Sequence, residues 1–130
     1  MEYFYFYRDS KHLKLSNNEK ILRIPRNIYD EASIFEFYDK TLNIPENYGK
    51  NWDAFFDNLK CLSFINERNV IALHEDIPLY NKNESKRIYI EILFDTVRHW
   101  WEFPQHKFYV YFPENCREEV VRIVENRGYE

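Results

Sequence analysis

The stretch from 44 to 62, IPENYGKNWDAFFDNLKCL, constrains this 130-residue chain more than any other. Pro45 fixes its own φ and biases Ile44 towards extended geometry, and Gly49 offers the positive φ of a tight turn, so the first half reads as a shaped loop. Asn51 is a good N-cap, because its side-chain oxygen can accept from the free N–H groups of a first helical turn. From there Trp52, Phe55, Phe56, Leu59 and Leu62 recur at i, i+3, i+4, i+7 and i+10, an apolar stripe at helical spacing. Asp53 and Asp57, one turn apart, project together from another face, with Phe56 at the margin. Two like charges stacked in this way slightly oppose helix formation, although Asp53 regains something from the positive end of the helix dipole. A paired cost of this kind asks for a reason.

The rest of the chain supplies a frame of strands and helices. Ile21-Leu22-Arg23-Ile24 reads as a strand, and Ser33 with Glu36 has the form of a capping box that starts a helix with Ile34, Phe37, Tyr38 and Leu42 on its buried side. Asn69 to Leu73 is a short continuous apolar run, the pattern of a strand buried on both faces. A long helix is expected from Asn83 or Glu84 to about Trp101, with Ile88, Ile92 and Leu93 buried, followed beyond Pro104 by a strand over Lys107 to Phe112. Strand, helix, helix, strand, helix, strand predicts an α/β layer with a small parallel sheet and right-handed crossovers. At the N-terminus, residues 2–7 and 12–15 predict a β-hairpin around the polar turn at 8–11. At the C-terminus Cys116, Val120, Ile123 and Val124 predict an amphipathic helix ending near Gly128.

The combination of Ile44-Pro45, Tyr48-Gly49 and Asn51-Trp52-Asp53-Ala54 running on to Asp57 and Leu59 resembles the signature of the barstar family, intracellular inhibitors of small basic ribonucleases. The order of elements extends that resemblance over roughly residues 20–112. It implies one barstar-like α/β domain over 1–130: a three-stranded parallel sheet packed with helices at 20–112, an added hairpin at 1–19 and an added C-terminal helix at 113–130. It further implies that the helix and the loop before it enter a nuclease active site, with Asp57 as the main inhibitory carboxylate. Asp53 and Glu46 would assist by charge, and Phe56, Asn47 and Tyr48 would flank the contact. The expected partner is a basic ribonuclease of toxin or extracellular type, bound by a monomer. Asn47 stands where the best-known member has an aromatic, Phe56 where it has an indole and Asn58 where a cysteine is common. A barstar-fold interaction module with a non-nuclease partner is the second reading.

Composition and motifs bear on the other classes of function. A formal net charge of -4 argues against nonspecific nucleic-acid binding, which relies on cations to neutralise phosphates. The aromatic row Tyr3, Tyr5 and Tyr7 could stack bases, but cross-strand pairing is its ordinary use. His12, His74, His99 and His106 are scattered, with no HExxH spacing and no CxxC partner, and no phosphate loop or GxSxG elbow occurs, so no cofactor, metal or catalytic group is expected. Cys61 is the one thiol that an enzymatic reading could use. Two cysteines allow one bridge at most, and reduced thiols suit a cytoplasmic protein. The N-terminus lacks a basic region before its apolar residues and reaches Arg8 too soon for a signal peptide, and no run approaches a membrane span.

Overall fold

The computed structural model describes residues 3–16, 18–45 and 50–126. Among them, strands β1 (Phe4–Tyr7), β2 (Lys20–Ile24), β3 (Asn69–His74) and β4 (Lys107–Pro113) form one sheet in the order β1-β4-β3-β2. All three pairings are parallel. Helices α1 (Glu31–Thr41) and α2 (Trp52–Leu59) connect β2 to β3, α3 (Asn83–Glu102) connects β3 to β4, and α4 (Arg117–Asn126) follows β4. The register aligns Leu22 with Ala72 and Ala72 with Val110, so these residues share one face with Ile24, Val70, Phe108 and Phe112. All are buried in the main core with the inner residues of α1, α2 and α3.

The N-terminal hairpin is corrected. Phe4 to Tyr7 pair in parallel with Val110 to Pro113 rather than folding back on residues 12–15. Asp9 caps a short 3-10 turn over Ser10–His12, accepting from the Lys11 amide at 2.9 Å, and this turn takes the chain out of strand geometry. The free edge of β4 then satisfies β1, and the Phe4 ring settles 5.9 Å from Phe112 and 6.3 Å from Phe94. The sheet therefore has four strands where three were expected. Because β1 and β2 lie on opposite edges, their connection has to cross the sheet. Ile71 and Leu73 alternate with the core-facing Val70 and Ala72, and they are buried on the opposite face, outside the main core cluster.

Helix α1 starts earlier than a Ser33 cap would allow. Asp30 is the cap, in extended geometry, and its Oδ1 accepts from the Ser33 amide at 2.8 Å. Aspartate caps as well as serine does, and its negative charge also faces the helix dipole favourably. Ile34, Phe35, Tyr38 and Leu42 are buried, with Phe37 only half-buried. Glu31 then ties the start of α1 to that of α3 through Ser85 and, at 3.2 Å, Lys82. Within α3 the buried face is wider than expected: Tyr89, Ile90, Val97 and Trp100 join Ile92 and Leu93, while Ile88 is half-buried. The C-terminal helix packs through Val120 and Val124 and is fastened by buried Lys86, whose ammonium donates to Glu119 and to the Tyr80 carbonyl at 3.1 Å. Both cysteines are free thiols.

A buried polar chain joins the sheet to two helices. His74 Nδ1 donates to the Tyr111 carbonyl at 3.0 Å, which leaves Nε2 to accept from the Tyr89 hydroxyl at 2.6 Å. Tyr89 in turn accepts from Tyr38 at 2.7 Å, and the imidazole stacks on Phe112 with ring centres 4.0 Å apart. Every polar atom in this chain is paired only while the ring is neutral. Burial holds His74 down at about 3, against 6.5 for a free imidazole, and pushes both tyrosines up.

That depression fixes the sign of a pH effect. Below 6.5 the unfolded chain takes up a proton that folded His74 refuses, so its contribution is complete above 6.5 and is lost as pH falls towards 3. His99, lowered by partial burial and by Lys60, acts in the same direction, while Asp76, raised by burial, opposes it. Each proton involved is worth about 1.4 kcal/mol per pH unit. Urea unfolding should therefore show stability falling by roughly 2–3 kcal/mol between about pH 6.5 and 4.5 on account of His74. A His74→Gln protein, less stable at pH 7, should lose most of that slope.

Candidate functional site

Helix α2 is built from its cap inwards. Asn51 is extended, at φ -147 and ψ 174, and its side chain accepts from the Ala54 amide at 2.8 Å while its carbonyl accepts from Phe55 at 2.9 Å. The helix thus begins at Trp52, as its cap requires. On the inner side, Trp52 meets Phe35 edge-on at 4.9 Å, Phe55 meets Tyr38 edge-on at 4.8 Å and stacks on Tyr89 at 6.0 Å, and Leu59 is fully buried. Those aromatic contacts press α2 onto α1 and α3.

The far end is fixed too. Trp100 on α3 donates its indole N–H to the Leu59 carbonyl at 2.9 Å, one of the carbonyls that a helix end leaves open. The Cys61 and Leu62 amides both return to the Asn58 carbonyl at 3.1 Å, and buried Leu62 accepts a positive φ of 50 to complete the turn. Such a conformation costs a leucine on the order of 1 kcal/mol or more and persists only where surrounding packing enforces it. Asn58 is buried at the position where the resemblance places a cysteine.

Against this fixed inner side, the outer side is charged. Asp53 and Asp57 are both exposed, and the Asp57 side chain keeps 76% of its accessible surface. Phe56 between them is half-buried. Lys60 stands one turn further on, its ammonium 3.7 Å from Asp57 Oδ1 and 4.1 Å from the centre of the Phe56 ring. At the opening of the helix, Lys50 reaches back to Asp39 on α1 at 3.4 Å, and Ile44 is anchored by burial and by its amide to the Asp39 carbonyl at 2.9 Å. Glu46, Asn47 and Tyr48 lie outside the described residues. Of the expected partner-binding set, Asp53, Phe56 and Asp57 are therefore brought together on one helix.

Two residues were not anticipated. Trp100 holds the helix end, and its signal was available in the spacing Leu93, Val97, Trp100 along α3. Lys60 modifies the acidic face, and it could have been found as the i+7 neighbour of Asp53. Neither changes the inner packing logic.

The remaining chemistry-bearing side chains are dispersed. His74 is the buried link described above, His99 lies edge-on to Trp100 at 4.7 Å, and His106 Nδ1 stands 3.3 Å from the Arg68 carbonyl. Cys61 donates to the Ser63 hydroxyl at 3.2 Å. Among the described residues, no group of three or more His, Cys, Asp or Glu is placed to hold a metal ion, and no helix is long and apolar enough to cross a membrane.

Helix α2 is thus capped by Asn51, tied at its far end by Trp100 and faced outward by Asp53 and Asp57. The family model described as Barstar (barnase inhibitor) matches residues 20–113, and the chain belongs to the barstar family. Strand β1 and helix α4 lie outside the matched segment. Comparison with curated proteins and with solved structures returned no match.

Proposed function

We propose that this protein binds and blocks a small basic ribonuclease, as the immunity partner of a toxin, acting in the cytoplasm as a monomer and without turnover or cofactor. The observation that carries this reading is the exposed Asp53–Asp57 pair on a helix whose cap, core contacts and far end are all fixed. A ribonuclease cleft gathers cations to bind phosphates, so its empty site holds a focused positive potential. Asp57 enters that site and accepts charge-assisted hydrogen bonds in place of a phosphate, offering no bond to cleave. Asp53, with Glu46, raises the encounter rate through longer-range attraction. Phe56, with Asn47 and Tyr48, closes the contact against water. Because α2 is already held in place, little ordering cost is incurred on binding.

The test is an RNA-cleavage titration of small basic microbial ribonucleases, with toxin nucleases included. Activity should fall linearly to zero at one inhibitor per enzyme for a susceptible nuclease. If every enzyme keeps its full activity at an excess of the protein, the inhibitor reading fails and a non-nuclease partner for this fold takes its place.

A further inference from the structure

The face of the sheet opposite the main core carries a row of tyrosines. Val110 and Phe112 point into that core, so Tyr109 and Tyr111 of β4 point the other way, as does Tyr5 of β1, which the register sets beside Tyr111. The Tyr5 ring stacks on Tyr111 at 5.0 Å and stands 6.2 Å from Tyr109, yet it keeps 45% of its surface exposed. Cross-strand pairing therefore uses only part of it. Tyr3 and Tyr7 serve the fold instead, the first against Phe94 and Trp101 and the second through its hydroxyl on the His74 carbonyl.

Charge on this face is basic, although the chain as a whole is acidic. Lys107 lies on it two residues before Tyr109, and exposed Arg23 shares the cross-sheet row of Leu73, Tyr111 and Tyr5, about 10 Å from Tyr111 by strand spacing. Burial raises the Tyr111 hydroxyl and Tyr5 and Glu19 add to it, so the segment that joins β1 to β2 comes to this face as well. Over residues 8–23 five Lys and Arg stand against two carboxylates. Residues 30–57, which include both aspartates of α2, carry seven carboxylates against two lysines. The net charge of -4 thus conceals a separation of sign along the chain.

We propose that this face is a platform for single-stranded nucleic acid, separate from the inhibitory helix. A base stacks on the open Tyr5 ring, beside Tyr109 and Tyr111, while Lys107, Arg23 and the basic segment before β2 meet the phosphates. The rings select a single strand, because the bases of a duplex are stacked on one another and offer such a face only their backbone. A surface of anionic lipid would answer the same cations, but it would leave the tyrosines without stacking partners.

The test is fluorescence anisotropy of a labelled single-stranded RNA of about 12 nucleotides, a length within the span of one such platform. At 50 mM salt, wild type should bind with a Kd below about 100 μM, and log affinity should fall against log salt with a slope of about -1.4 to -2.1, for two to three phosphates neutralised. Tyr5→Leu keeps an apolar side chain without a ring and should bind roughly fivefold more weakly or worse. Lys107→Gln with Arg23→Gln should flatten the salt slope, and Asp57→Ala should bind RNA as wild type does. Circular dichroism and urea midpoints confirm that each variant is folded. No binding by wild type, full affinity in folded Tyr5→Leu, or equal affinity for a duplex of the same length overturns the platform. So does capture of the protein by phosphatidylserine vesicles when the RNA is not bound.

Discussion

Replacing Asp57 by alanine should leave the protein folded and weaken its hold on a susceptible ribonuclease by roughly 30- to 4,000-fold, the equivalent of about 2–5 kcal/mol. The range is that for truncating one member of a buried interfacial charge pair, of which the barnase–barstar complex is itself a measured example. Most of the loss arises on the enzyme, whose cations are buried in the complex without a counter-charge. The free protein loses little. Asp57 is exposed, its pair with Lys60 is of the surface kind worth well under about 1 kcal/mol, and removing it also relieves repulsion from Asp53 one turn away. Inhibition constants beside circular dichroism and urea midpoints separate the two effects. Unchanged affinity would remove Asp57 from the centre of the site.

Phe55→Ala should do the opposite, destabilising the fold by about 3–5 kcal/mol. The Phe55 ring lies among Phe35 at 6.0 Å, Tyr38 at 4.8 Å, Trp52 at 5.7 Å and Tyr89 at 6.0 Å, and the cavity left by its removal would border α1, α2 and α3 together. Two of those neighbours, Tyr38 and Tyr89, are hydrogen-bonded in the buried chain from His74, so they cannot move into the space without breaking polar contacts. The loss is a large part of the total stability expected of a small domain, on the order of 5–15 kcal/mol. Chemical unfolding should show a lower midpoint, and inhibition should fall only in proportion to the fraction unfolded. An unfolding free energy within about 1 kcal/mol of wild type would contradict this packing.

The acidic helix was legible because cap, stripe and charge pair are local. Asn51 caps, Phe55 and Leu59 are buried, and Asp53 and Asp57 are exposed as their spacing predicts. Strands β3 and β4 and helix α3 followed equally from continuous apolar runs and long periodicity. The N-terminus misled because Tyr3 to Tyr7 alternates as any half-buried strand does, and alternation does not say which edge will accept it. Only β4, about a hundred residues away, decides that. The start of α1 shifted because Asp30 and Ser33 are both competent caps, and the chain uses the earlier one. Local spacing also cannot show that Trp100 would reach the end of α2, or that His74 would sit between Tyr111 and Tyr89, since both depend on α3 lying across the sheet.

Amide hydrogen exchange on the complex with a susceptible ribonuclease tests the central claim most directly, because it reports which face is covered. Exchange should slow along α2, most at its outer positions from Asp53 to Lys60, while the amides around the exposed ring pair of Tyr29 and Tyr80 remain as they are in the free protein. Protection at Tyr29 and Tyr80 with α2 unchanged would show that the enzyme binds elsewhere and that the paired aspartates are not the inhibitory surface.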